Sequence, residues 1–172
     1  VGIWTNELWE DKFDLPEITA SLGIHLMFSQ KVADDAIGFF YQNKKSGGFI
    51  IPWEKYSLVG TTDNIYKGDP DNINPPKDDI DFLLAETKRI CEDEALFSRD
   101  KIFSVFAGAR PLVSAKTIVT DIPRDFRFFV PEQGILIVVG GKITTYRLLA
   151  EKAVNKVSKW IKHGLKCQTH VY

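Results

Sequence analysis

Between Ser21 and Thr62 the chain alternates short apolar runs with turn residues, and this constrains its fold more than any other feature. Ser21 to Phe28 ("SLGIHLMF") is one run, Ile37 to Gln42 a second, Gly48 to Trp53 a third and Tyr56 to Thr62 a fourth. Each has the length of a strand. "NKKSGG" joins the second run to the third. That link is a turn, too short for the helical crossover a parallel pair needs. The last three runs therefore read as an antiparallel meander.

The rest of the chain adds two helices and three strands. After the breaker-rich loop "KGDPDNINPPKDD", Pro76 with Asp78, Asp79 and Asp81 behind it marks a helix start. Ile80, Leu83, Leu84, Thr87, Ile90 and Cys91 recur at helical spacing, which predicts a helix to about Ala95. The acids at 78–81 and 92–94 read as helix-end charge without chemistry. "IFSVFAGARPLV" is a strand running into Gly-Ala-Arg-Pro, "FRFFV" another, and "PEQG" a turn. "ILIVV" is apolar enough for a strand buried on both faces. From Thr144 onward, Leu148, Leu149, Ala153, Val157, Trp160 and Ile161 outline an amphipathic helix. Residues 1–12 read as a loop and a short helix. The fold class is α+β, a mostly antiparallel or mixed sheet with helices on one face.

Composition narrows the function classes. The chain has 172 residues, 44% of them hydrophobic and 26% charged, which suits a folded domain of ordinary size. A net charge of −1 gives no general nucleic-acid-binding surface. Cys91 and Cys167 form neither a disulfide framework nor a zinc set, which fits a reduced, intracellular protein. No apolar run approaches the roughly 18 residues of a membrane span. The chain does not begin with methionine, lacks signal-peptide features and reads as a piece of something larger.

Several residues are candidates for chemistry. "GILIVVGGKITTYR" joins a strand to a helix through Gly140 and Gly141. A helix start with a lysine beside it can hold an anion, and it can equally be a plain turn. The stretch matches neither the phosphate-binding loop nor the dinucleotide fingerprint. Arg110, before Pro111, can offer a planar fork to phosphate or carboxylate, or can form a structural ion pair. His25 can be a hydrogen-bonded core residue or a general acid/base. Thr61, Thr62 and Asp63 can meet a ligand or cap the turn. Arg124 reads as a solvated charge. No metal-ligand set and no Gly-x-Ser-x-Gly elbow is present.

The order of these pieces carries more than any one of them. "GIHL", "GGFIIPW", "LVGTTDNIYKGDP", "DDIDFLL", "AGARPL", "PRDF" and "VVGGKITTYRLLAEKAV" run in series. The series closely resembles the FAD-dependent glycerol-3-phosphate dehydrogenases from about Val1 to Thr169, with "GTTDxxYKGDP" and "GGKxTTYR" as its specific motifs. The resemblance implies three segments. Residues 1–21 and 130–172 would belong to an FAD-binding, Rossmann-like domain and its following linker, and 22–129 to a substrate domain. It implies oxidation of sn-glycerol 3-phosphate to dihydroxyacetone phosphate, with hydride from C2 passing to FAD and electrons then to a quinone. The related oxidases use oxygen instead, and a non-catalytic module binding a phosphorylated ligand is a further alternative.

Carried over by residue, His25 and Arg110 would serve the C1/C2 hydroxyl end, with His25 the better base because arginine hardly deprotonates. Thr61, Arg110, Arg124 and Lys142 would bind substrate. Gly141, Lys142, Ile143 and Thr144 would contact the cofactor, the last two through backbone N–H groups at the flavin pyrimidine edge. For the full-length protein the resemblance implies cytoplasmic, peripheral attachment to the inner membrane in a bacterium, and a homodimer. The 172-residue piece alone is expected not to retain FAD or activity. Departures sit around these positions. Met27-Phe28-Ser29-Gln30 replaces a run ending in Pro-Arg, Pro123 stands where a small hydroxyl residue is usual, and the link from Arg124 to Lys142 is short.

Overall fold

The computed structural model describes residues 2–5, 7, 13, 17–42, 44–113, 125–162, 164, 167–169 and 171. The chain divides into two compact units, Ala20–Ala109 on the one hand and Val1–Thr19 with Arg110–Tyr172 on the other.

The Ala20–Ala109 unit is built on an antiparallel sheet. Its strands are β1 (Ile18–Phe28), β2 (Ile37–Phe40), β3 (Gly47–Trp53), β4 (Tyr56–Gly60), β5 (Asn64–Tyr66) and β6 (Ile102–Val113). The order is β2-β3-β4-β1-β5, and β6 also pairs with β1. The expected meander is β2-β3-β4, with Phe49 opposite Gly60 and Ile51 opposite Leu58. The last of its strands ends at Gly60, two residues earlier than its apolar run suggested.

Alternation along these strands separates two faces. Leu22, Ile24, Leu26 and Phe28 of β1, Ile50 of β3 and Val59 of β4 are buried with Leu83, Leu84 and Phe97. Leu83 and Leu84 come from helix α1 (Lys77–Ile90), which packs its apolar stripe on this face. Burying each such side chain is worth about 1.5–3 kcal/mol. On the other face Phe49, Trp53, Phe103 and Phe106 stay exposed.

Helix α1 ends at Ile90, short of the expected Ala95. Cys91 is already extended, at φ −109° and ψ 137°. Asp93 then accepts a hydrogen bond from Ala95 N and starts a 3-10 turn over Glu94–Phe97. That turn sends the fully buried Phe97 ring edge-on against Phe28, with centroids 5.0 Å apart.

In the other unit, β7 (Arg127–Phe129) and β8 (Ile137–Val139) form an antiparallel hairpin. Gly134 supplies the positive φ (94°) in its turn. Val113, Ile137 and Val139 form a small core with Ile18, Phe129 and Ile135 beside it. The strand expected from "ILIVV" is only three residues long, and Val138 is half-buried, because its side chain alternates away from this core. A 3-10 turn, Ile143–Thr145, leads into α2 (Tyr146–Trp160). The helical period is as expected, but Leu148, Val154, Val157 and Trp160 are exposed. At the N-terminus Gly2–Trp4 is one 3-10 turn, closed by a bond from the Thr5 hydroxyl to Gly2 O (2.7 Å). Among the described residues no helix is long and apolar enough to cross a membrane. Cys91 and Cys167 are free thiols.

Candidate functional site

His25 projects from the open face of the sheet. In the ladder it stands opposite Gly60, which stands opposite Phe49. A Cβ at Gly60 would lie 2.4 Å from His25 Cδ2 and 2.8 Å from Cγ. The imidazole therefore lies flat over β4, in space that only glycine leaves open. Beside it is a cavity of about 320 Å³ lined by His25, Met27, Trp53, Leu58 and Phe106.

Thr61 follows directly, at a bend. From His25 to Leu22 is a step of three residues on β1, while the paired step from Gly60 to Asn64 is four. The extra residue makes the Thr61-Thr62-Asp63 segment a bulge, a device that re-aims side chains. The bend is tied down at several points. The buried Tyr41 hydroxyl donates to Thr61 O (2.9 Å). It reaches there because position 48 is glycine, where a Cβ would lie 2.5 Å from that oxygen. The Thr62 hydroxyl donates to Asp79 Oδ2 (2.8 Å), and Asn64 Nδ2 donates to Asp79 Oδ1 (2.8 Å). The Ser21 hydroxyl donates to the Asp63 carboxylate. Burial and the nearby Glu86 charge push the Tyr41 phenol up to about 12, so it stays a donor.

Asp79 corrects the reading of the 78–81 acids as idle helix-end charge. It is 7% exposed and accepts two hydrogen bonds inside the fold. Asp81 does behave as surface charge, pairing with Lys77 (2.6 Å) and Arg99, and these cations hold its carboxyl below the usual range. Glu86 is buried as well. It accepts from Gln42 N (2.9 Å) and pairs with Arg89 (2.9 Å).

The second group of candidates lies in the other unit. Gly140 and Gly141 have φ of 79° and 96°, conformations that favour glycine. Their missing Cβ atoms make room for the chain itself. One at Gly140 would lie 2.6 Å from Asp125 O, and one at Gly141 3.1 Å from Leu149 Cδ1. The glycines thus seat the turn on 125–126. Lys142 follows, exposed, beside a cavity of about 390 Å³ lined by Asp125, Phe126, Thr145, Leu148 and Lys152.

Thr145, which the sequence reading passed over, ties this segment. Its hydroxyl accepts from Lys142 N (3.3 Å) and donates to Lys142 O (3.0 Å), which also accepts from Thr145 N (2.9 Å). Ile143 and Thr144 then open the helical turn, where N–H groups lack intrahelical acceptors. Ile143 is 89% exposed. Arg147 pairs with Glu151 (3.1 Å).

The fold thus sets His25 opposite Gly60, the residue before Thr61, and Gly141, Lys142, Ile143 and Thr144 form the β8–α2 link. Arg110 is half-buried near the end of β6, before the buried Leu112 and Val113. Arg124 lies outside the described residues. Among the described residues no cluster of His, Cys, Asp or Glu could hold a metal ion.

No family model matches the chain. The probable mitochondrial glycerol-3-phosphate dehydrogenase of Dictyostelium discoideum is 34% identical over 83% of this chain and 24% of its own length. The aerobic glycerol-3-phosphate dehydrogenase of Escherichia coli strain K12 is 32% identical over 92% of this chain and 33% of its own. A crystal structure of the glycerol-3-phosphate dehydrogenase from Bacillus halodurans, complexed with FAD, superposes with a TM-score of 0.80 at 28% identity. It covers 96% of this chain and 32% of that one. The chain therefore spans about a quarter to a third of the proteins it matches. Over that span its sequence and fold relate it to the FAD-dependent glycerol-3-phosphate dehydrogenases.

Proposed function

We propose that this chain is the substrate-binding part, with adjoining flavin-contacting residues, of an enzyme that oxidises sn-glycerol 3-phosphate to dihydroxyacetone phosphate. The observation that carries the reading is the match, over 96% of the chain, to a glycerol-3-phosphate dehydrogenase complexed with FAD. Placement of His25 beside the open-face cavity supports it. FAD, when bound, accepts the hydride released from C2.

The chain's own residues supply the rest. His25 Nε2 or Nδ1 takes the proton of the C2 hydroxyl as the ketone forms, the general-base role an imidazole can fill. Arg110 orients the hydroxyl end, and Thr61 lines the substrate site. Arg124 and Lys142 meet the phosphate or the developing ketone oxygen with fixed positive charge. Gly141, Lys142, Ile143 and Thr144 hold the cofactor edge. The aromatic residues Trp53 and Phe106 give the cavity beside His25 an apolar wall.

Quinone as electron acceptor, peripheral membrane attachment and a homodimer belong to the same proposal for the full-length protein. The test is product formation by the full-length, FAD-loaded protein, with sn-glycerol 3-phosphate and a soluble quinone. Dihydroxyacetone phosphate should accumulate, and glycerol 2-phosphate should give none. Oxygen consumption with peroxide, at a rate matching product, would identify an oxidase instead. No product with either acceptor would overturn the proposal.

A further inference from the structure

We propose that Asp79 is a positioning residue that sets His25 and Thr61 through the hydroxyl of Thr62. This rests on the reading that His25 and Thr61 act on the substrate. The argument begins at the bulge. Ladder pairing between β1 and β5 ends at Leu22, and pairing with β4 resumes at His25. In between, the N–H of Ile24 is taken by a side chain. It donates to Thr62 Oγ1 at 3.1 Å, in a buried bond. A side-chain hydroxyl thus replaces the missing ladder bond at the residue immediately before His25.

A hydroxyl has one proton to give. Thr62 gives it to Asp79 Oδ2 (2.8 Å), which turns its lone pairs toward Ile24 N. The carboxylate is fixed in turn by Asn64 Nδ2 on its other oxygen (2.8 Å) and by its seat in the first turn of α1. One buried carboxylate therefore clamps both strands that carry the candidate residues. Through Ile24 it holds β1 at His25, and through Thr62 it holds the bend at Thr61. Thr62 is 2% exposed, so water does not replace a lost partner there without cost. Ile24, Thr62 and Asp79 are all buried, whereas His25 projects from the open face.

Asp79→Asn and Thr62→Val, made in the full-length FAD-loaded protein, test the role. Thr62→Val keeps the side-chain shape and removes the hydroxyl, and Thr62→Ser restores it. A misplacement of order 1 Å costs about 100-fold in turnover. Asp79→Asn and Thr62→Val should each lower kcat by ~10- to 100-fold, and Thr62→Ser should recover it to within about threefold. In a His25→Ala background, Asp79→Asn should lower kcat by less than it does in the wild type, because the part of its effect that passes through His25 is already lost. The imidazole resonances of nitrogen-labelled His25 should shift in Thr62→Val and return in Thr62→Ser.

Full additivity with His25→Ala, or unshifted His25 resonances in Thr62→Val, would overturn the positioning role and leave Asp79 as a stability residue. If the wild-type protein does not oxidise glycerol 3-phosphate, the functional reading fails. The resonances then still decide whether the clamp places His25.

Discussion

Replacing Gly60 with alanine puts a methyl group where the His25 ring lies. The new Cβ would be 2.4 Å from Cδ2, 2.8 Å from Cγ and 3.0 Å from Nε2. Ordinary contact begins near 3.4 Å, so the ring must retreat by about 1 Å. Overpacking of this kind costs about 1–3 kcal/mol. Alanine returns ~0.4–1 kcal/mol by restricting the unfolded chain. The net loss of stability is therefore modest, about 1–2 kcal/mol. The loss of activity should be larger, because a catalytic group displaced by 1 Å costs about 100-fold. Gly108→Ala is the control. A Cβ there meets nothing within 4 Å, so stability should hold or rise. Urea denaturation and kcat/KM of the full-length protein measure the two effects separately. Gly60→Ala with wild-type kcat/KM would refute the idea that glycine at this position exists to seat the imidazole.

Other consequences are testable in the same protein. Tyr41→Phe leaves the Thr61 carbonyl without its 2.9 Å donor and should cost ~1–3 kcal/mol in denaturant unfolding. With the folded phenol raised to about 12 from an ordinary 10.0, wild-type stability from this group is complete below pH 10 and is lost as pH rises toward 12. Tyr41→Phe should flatten that alkaline decline, as read from unfolding midpoints against pH. Phe28→Ala removes a fully buried ring packed on Phe97 and should cost ~3–5 kcal/mol. Thr145→Val unties Lys142 and should weaken FAD retention severalfold in equilibrium dialysis, while Thr145→Ser should not.

The meander was readable because its turns are short and local. "NKKSGG" allows little except a hairpin, and Ile50 and Val59 mark the buried face by simple alternation. Residues whose roles depend on register were not readable in this way. Gly60 looks like the end of a strand until pairing sets it opposite His25. Asp79 satisfies the ordinary pattern of acids at a helix start, so its burial against Thr62 left no separate mark. The early end of α1 also turns on a distant contact, since Phe97 must reach Phe28. The two glycines of "GILIVVGGKITTYR" did signal close approach. The partner they approach is the chain's own 125–126 segment. Thr145 escaped notice because its bonds are to the backbone of Lys142, three residues earlier.

The central claim is that His25 takes the hydroxyl proton of sn-glycerol 3-phosphate as hydride leaves for FAD. Anaerobic stopped-flow mixing of full-length, FAD-loaded protein with one equivalent of substrate tests it most directly. The visible flavin band should bleach within the turnover time in the wild type, and ~100- to 10,000-fold more slowly in His25→Gln. Equal bleaching rates in the two proteins would contradict the role of His25, and an unbleached wild type would contradict the function itself.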